Sequence, residues 1–191
     1  MTPWPSSENI GPPSTVRRKT NRRKRHPQHG VLTGKPSTIF KRGSKDMEKI
    51  VTYGRYAGSL RHLALRMKDG RESALRRAAE IFAGIIPQDA VVVPMPSRTG
   101  RATAMLRVAE YVATIRPDVL PLDALESDAH ESMYLVKKRG DEPRPFAVRL
   151  VGRIPTGREI VIIDNVTSSG TTARCALSAI PSASVMAIAK P

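Results

Sequence analysis

Apolar and polar positions alternate along this chain in blocks, beginning near residue 47. Leu75, Ala78, Ala79, Phe82, Ile85 and Ile86 recur at helical spacing, and Pro87 stops the pattern. Val91-Val92-Val93, closed by Pro94, is a short continuous apolar run and predicts a buried strand. Met105, Val108, Ala109, Val112 and Ile115 predict a second helix ending before Pro117, and residues 119–122 a weaker strand. Residues 126–158 have no clean period and are expected to be largely loop. Ile160 to Ile163 is a strong strand, Thr172 to Ile180 a helix, and Ser184 to Ala189 a final strand. Strands alternating with helices of this length need crossover connections, so the expected fold class is α/β, a Rossmann-like parallel sheet flanked by helices.

Residues 1–46 break this texture. They hold eleven Lys and Arg against Glu8 and Asp46, and they are rich in Pro, Gly, Ser and Thr. Such a segment buries too little apolar surface to offset its ordering entropy, so a disordered basic tail (1–46) is expected before a domain at 47–191. Its arginine-rich part, residues 17–25, is suited to weak phosphate contacts with nucleic acid; the plainer alternative is a solvated tail. The tail divides the formal charge of +15 unequally, leaving a modestly basic domain. That shifts the expectation from a polymer binder towards a small phosphorylated ligand. The lone Cys175 excludes an internal disulfide framework and fits a reducing cytoplasm. No apolar run suggests a membrane span or a signal peptide.

The chemistry concentrates in one stretch. After Ile160 to Ile163 come Asp164, Asn165, Val166, then Thr167, Ser168, Ser169, Gly170, Thr171 and Thr172. In open parallel sheets ligands bind beyond the carboxyl ends of strands. A Thr/Ser/Gly loop opening a helix offers backbone N–H groups, hydroxyls and the positive end of the helix dipole to a phosphate. Asp164 and Asn165 carry oxygens suited to ribose hydroxyls. No Lys follows the glycine, which excludes the nucleoside-triphosphatase loop, and the pattern is not the GxGxxG fingerprint. The plain alternative is a strand-to-helix turn whose hydroxyls are caps.

This stretch resembles the phosphoribosyl-pyrophosphate (PRPP) motif of type I phosphoribosyltransferases. Tyr53 to Arg61 with Lys68-Asp69-Gly70, the Val91 to Arg98 segment with its Pro94-Met95-Pro96 turn, and the closing Ser184 to Lys190 are similar to the ComF-like members of that family. The resemblance spans residues 50–191. It implies the type I phosphoribosyltransferase fold and an enzyme transferring phosphoribosyl from PRPP to a small-molecule nitrogen acceptor with release of pyrophosphate. It further implies Mg²⁺ carried by the substrate with no all-protein metal site. Asp164 and Asn165 would hold the ribose, Val166 to Thr172 the 5-phosphate, and Ser97 and Arg98 the pyrophosphate, with Asp164, Asn165 and Arg98 as the catalytic set. Lys137, Lys138 and Arg139 would belong to a mobile loop over the site. A homodimer is left open. The chain departs from the family in having Asn165 at the second acidic position and no Cys-rich zinc module. Those departures support an alternative of another class, a non-catalytic PRPP- or nucleotide-binding module whose tail contacts nucleic acid in DNA uptake or regulation.

Overall fold

The structure, a computed structural model, describes residues 49–142 and 144–191, with the side chains of Met133, Tyr134 and Lys137 left aside. The expected tail at 1–46, including 17–25, lies outside the described residues. The elements run β1 (Ile50–Arg55), α1 (Gly58–Lys68), α2 (Glu72–Ala83), β2 (Val91–Pro94), α3 (Ala104–Ile115), β3 (Leu120–Pro121), β4 (Leu125–Ser127), α4 (Met133–Arg139), β5 (Val148–Leu150), β6 (Ile160–Val166), α5 (Thr171–Ala179) and β7 (Ser184–Lys190).

Five strands form one parallel sheet in the order β1-β7-β6-β2-β3, and β4 pairs antiparallel with β5 in a separate ribbon. The protein is thus an α/β fold of the Rossmann-like kind. Its central strands are buried on both faces, which is why they read as unbroken aliphatic runs rather than alternating ones. Val92, Val161, Ile163 and Ile188 pack on one face with Met67, Leu75, Phe82 and Val108 from α1, α2 and α3. Val91, Val93, Ile162 and Val185 pack on the other with Leu177 of α5 and with Leu125 and Val148 of the ribbon.

Chain direction explains this division. From β1 to β2 and from β2 to β3 the chain moves one way across the sheet; from β3 to β6 and from β6 to β7 it moves the other way. Parallel crossovers are right-handed, so the two directions put their connecting segments on opposite faces. The reversal occurs between β2 and β6, which are hydrogen-bonded neighbours with Val91 opposite Ile160 and Pro94 opposite Ile163. Their carboxyl ends therefore open together at the topological switch point.

Two expectations need correction. Residues 126–158 are largely loop as expected, but β4, α4 and β5 lie within or overlap them, and Lys137, Lys138 and Arg139 sit in helix α4 rather than in a loop. These elements are three, seven and three residues long, too short for a hydrophobic period to emerge. Helix α2 also ends at Ala83, before Ile85 and Ile86: Gly84 is its C-cap, and the N–H groups of Ile85 and Ile86 both close back on the Phe82 carbonyl in a turn. Among the described residues, no helix is long and apolar enough to cross a membrane.

Candidate functional site

Two loops leave the switch point. The first follows β2. Its Met95 N–H donates to the Ile163 carbonyl at 2.9 Å, extending the strand pairing past Pro94. The chain then closes on itself: Ser97 N–H donates to Arg101 O at 3.3 Å and Gly100 N–H to Ser97 O at 3.1 Å. The Ser97 Oγ accepts from Thr99 N–H at 3.2 Å and lies 2.7 Å from Thr99 Oγ1. Neighbouring chain fastens the turn from outside, with Ser127 N–H donating to Gly100 O and His130 N–H to Arg98 O, both at 3.0 Å. Arg101 is committed to Asp123, through Nη2 at 2.7 Å and Nε at 3.2 Å. Arg98 is exposed and forms no ion pair among the described residues.

The second loop follows β6 and is built differently. Thr167 is buried, and its N–H donates to Ala189 O at 3.1 Å, pinning the loop to β7. Ser168 and Ser169 are exposed. Gly170 then takes the left-handed conformation at φ 75° and serves as the N-cap of α5. With no side chain it supplies no cap to the first-turn N–H groups, which an α-helix leaves without internal partners. Around this opening the Thr171 N–H donates to Ser169 Oγ at 3.4 Å, and Ser169 Oγ and Thr171 Oγ1 lie 3.0 Å apart.

Arg174 completes the second loop. Its Nη1 donates to Ser169 O at 3.1 Å and its Nη2 to Thr171 Oγ1 at 3.3 Å, folding the guanidinium back over the helix start. The sequence reading passed over it. The signal that could have found it is its position three residues after Thr171, the helical spacing that brings a long side chain back to the first turn.

Asp164 and Asn165 part company, as successive strand residues do. The Asp164 carboxylate accepts the Asn165 N–H at 2.7 Å. Burial nevertheless dominates and pushes its pKa up to about 6, opposed by hydrogen bonds from the backbone N–H groups of Asn165 and Val166. The Asn165 Nδ2 donates to Ala64 O of α1 at 3.1 Å, and its Oδ1 is buried without a partner. In this arrangement the amide ties β6 to α1, and its oxygen does not face solvent.

Ser97, Arg98, Asp164 and the 167–172 loop thus share the carboxyl end of the β2–β6 pair. Lys138 and Arg139 sit on helix α4, outside these two loops. Arg139 is held by Glu131 at 2.5 Å and Asp141 at 2.8 Å, and the side chain of Lys137 lies outside the described residues. Arg139 lines a separate cleft of about 600 Å³ with His130, Glu142 and Arg144. The described residues contain no cluster of three or more His, Cys, Asp or Glu side chains placed to hold a metal.

The arrangement can do two things chemically. Backbone N–H groups at a helix N-terminus, with hydroxyls and the Arg174 guanidinium beside them, can take an anionic group. One partly buried carboxylate beside it can accept hydroxyl donors. In comparisons with known proteins, no family model matches the chain and no curated protein matches it.

Proposed function

We propose that the chain binds a 5-phosphoribosyl group as PRPP and, as a type I phosphoribosyltransferase of ComF-like kind, transfers it to a nitrogen acceptor. The observation that carries this reading is the Asp164 to Thr171 loop at the switch point, where a carboxylate and an uncapped helix start emerge from one strand. The loop at 167–171, with Arg174, suits the 5-phosphate, and Asp164 the ribose hydroxyls. Arg98, exposed on the turn after β2, suits the pyrophosphate. Mg²⁺ would arrive on the pyrophosphate and neutralise its charge. The acceptor nitrogen forms its bond to the anomeric carbon as the bond to pyrophosphate breaks, and pyrophosphate leaves with the electron pair. The chain's part is to fix the phosphate, hold the hydroxyls and face the leaving group with Arg98. The single Cys175 is consistent with work in the cytoplasm.

Titration calorimetry with PRPP and Mg²⁺ tests the reading. Saturable heat is expected, lost in Asp164→Ala; no heat with PRPP, ribose 5-phosphate or nucleotides overturns it.

Asn165 favours a second reading, PRPP binding without turnover. Its amide is occupied by Ala64, and a second carboxylate at that position is missing. Pyrophosphate release over a panel of nitrogen acceptors separates the two, since the second reading expects binding heat with none.

A further inference from the structure

Helix α1 carries Arg61, His62, Arg66 and Lys68 and no acidic residue. At 100° per residue, these four and Leu65 cover an arc of roughly 160°. The buried positions Leu63, Ala64 and Met67 lie on the opposite side against the sheet. All five arc residues are exposed. Arg55 before the helix and Arg71 after it are exposed too, and between Ile50 and Arg71 the only acid is Asp69. None of the five cations, Arg55, Arg61, Arg66, Lys68 and Arg71, forms an ion pair among the described residues.

The neighbouring helices behave differently. On α2 and α3, Arg76 and Arg107 pair with Glu72 and Arg77 pairs with Glu80, so that charge is neutralised locally. Among these three helices the uncompensated positive charge therefore sits on α1. Arg66 is held towards α2 by a 3.3 Å bond from its Nη2 to Ser73 Oγ, which fixes one guanidinium on the ridge between the helices.

We infer that the exposed face of α1 is a docking surface for the phosphate backbone of double-stranded nucleic acid, bound without base readout. Four of the five cations are arginines, whose planar forks match phosphate oxygens better than an ammonium does. A helix of 11 residues spans about 16 Å, enough to meet several phosphates along a groove edge. Single strands are disfavoured because the nearby Tyr53 and Tyr56 pack against the core, leaving His62 as the lone exposed ring among the five arc residues. A membrane surface is disfavoured because the apolar side of α1 is spent on the sheet, leaving only Leu65 among the cations. An acidic protein partner would want an apolar centre that the face lacks.

The test uses the full chain, so that residues 17–25 remain present as a competitor. Binding to a fluorescent random-sequence duplex is followed by anisotropy across a salt series. Two variants of equal charge change are compared: Arg61→Gln/Arg66→Gln/Lys68→Gln on α1, and Arg76→Gln/Arg77→Gln/Arg107→Gln on α2 and α3. Losing three phosphate contacts should weaken binding roughly 100-fold at 150 mM salt and flatten the log–log salt slope by about 2.7. The second variant should change neither by more than about threefold and 0.5 respectively. The single Arg66→Gln variant, expected to flatten the slope by about 0.9, keeps the test open if the triple variant melts early. Equal losses in both triple variants, or no loss in either, overturn the proposal. So does tighter binding to phosphatidylserine vesicles than to duplex through the same three residues.

Discussion

The two loops at the switch point start from the same place and diverge in how their polar groups are used. The turn after β2 is closed: backbone bonds link Ser97, Gly100 and Arg101, the 127–130 segment fastens it from outside, and Asp123 holds Arg101. The loop after β6 is open. It is pinned at Thr167 and then presents Ser168, Ser169 and a helix start that its N-cap Gly170 leaves without a side-chain cap, where Ser169 Oγ meets the Thr171 N–H and Arg174 reaches across. One loop is a finished shelf that exposes Arg98; the other is a cradle in which the N–H groups of Ser168, Ser169 and Gly170 have no partner among the described residues. Polar residues crowded after a strand therefore do not by themselves mark a binding site. Both loops pair a serine Oγ with the N–H and hydroxyl two residues on; what distinguishes the cradle is the run of backbone N–H groups at 168–170 left without partners among the described residues.

Asp164→Asn should give the largest effect, and it acts in two directions. Losing a charged acceptor for two hydroxyls should weaken PRPP binding by about 100-fold, measured by calorimetry. Stability should move the other way. A carboxyl whose native pKa lies above its unfolded value binds its proton more tightly when folded, so its penalty on stability is absent below about pH 4 and grows as pH rises through 6. The variant should thus be more stable than the parent at pH 8, by about 2 kcal/mol, and indistinguishable at pH 4 in thermal melts. A variant that loses affinity and stability together would mean the carboxylate is structural, and the cradle would lose its defining group.

Gly170→Ala comes next. At φ 75° any Cβ is strained, and here it would also stand 3.1 Å from Arg174 Nη1. A stability loss of about 1–2 kcal/mol is expected by denaturant titration, with a similar loss in PRPP binding. Arg98→Ala and Arg174→Ala then separate the loops, each costing about fivefold in affinity. Arg98→Ala should affect PRPP and spare ribose 5-phosphate, because its partner is the pyrophosphate. Arg174→Ala should affect both. Identical profiles would erase the distinction between shelf and cradle.

How much of this was legible in the sequence follows burial. Val91 to Val93 and Ile160 to Ile163 announced themselves because strands covered on both faces must be aliphatic throughout. Edge strand β1 did not, since Ile50–Arg55 mixes Thr, Tyr, Gly and Arg with only two aliphatic residues. The β4–α4–β5 unit was hidden by short elements, and β5 exposes Arg149 and Leu150. At the site, the composition of the 164–172 loop was readable, but the states of its side chains were not. That Asn165 spends its amide on Ala64 depends on a contact across 101 residues. That Arg174 folds back depends on the left-handed turn at Gly170, which decides where the helix begins.

Arg101→Ala should have the smallest effect, and its size is what makes it useful. Arg101 and Arg98 sit three residues apart on the same turn and look equally suited to pyrophosphate. Arg101, however, gives Nε and Nη2 to Asp123, and Nη2 also reaches the Asp123 carbonyl at 3.3 Å. Its side chain is 49% exposed, so water and salt screen the pair. Removal should cost about 0.5 kcal/mol of stability and less than twofold in PRPP affinity. The Asp123 Oδ1 is already buried without a partner, so the loss of Arg101 should leave that carboxylate worse solvated, and the Arg101→Ala/Asp123→Asn double variant should recover the stability. If Arg101→Ala instead costs as much PRPP affinity as Arg98→Ala, the Asp123 pair opens on binding. The closed turn would then be a second cradle held shut by one ion pair.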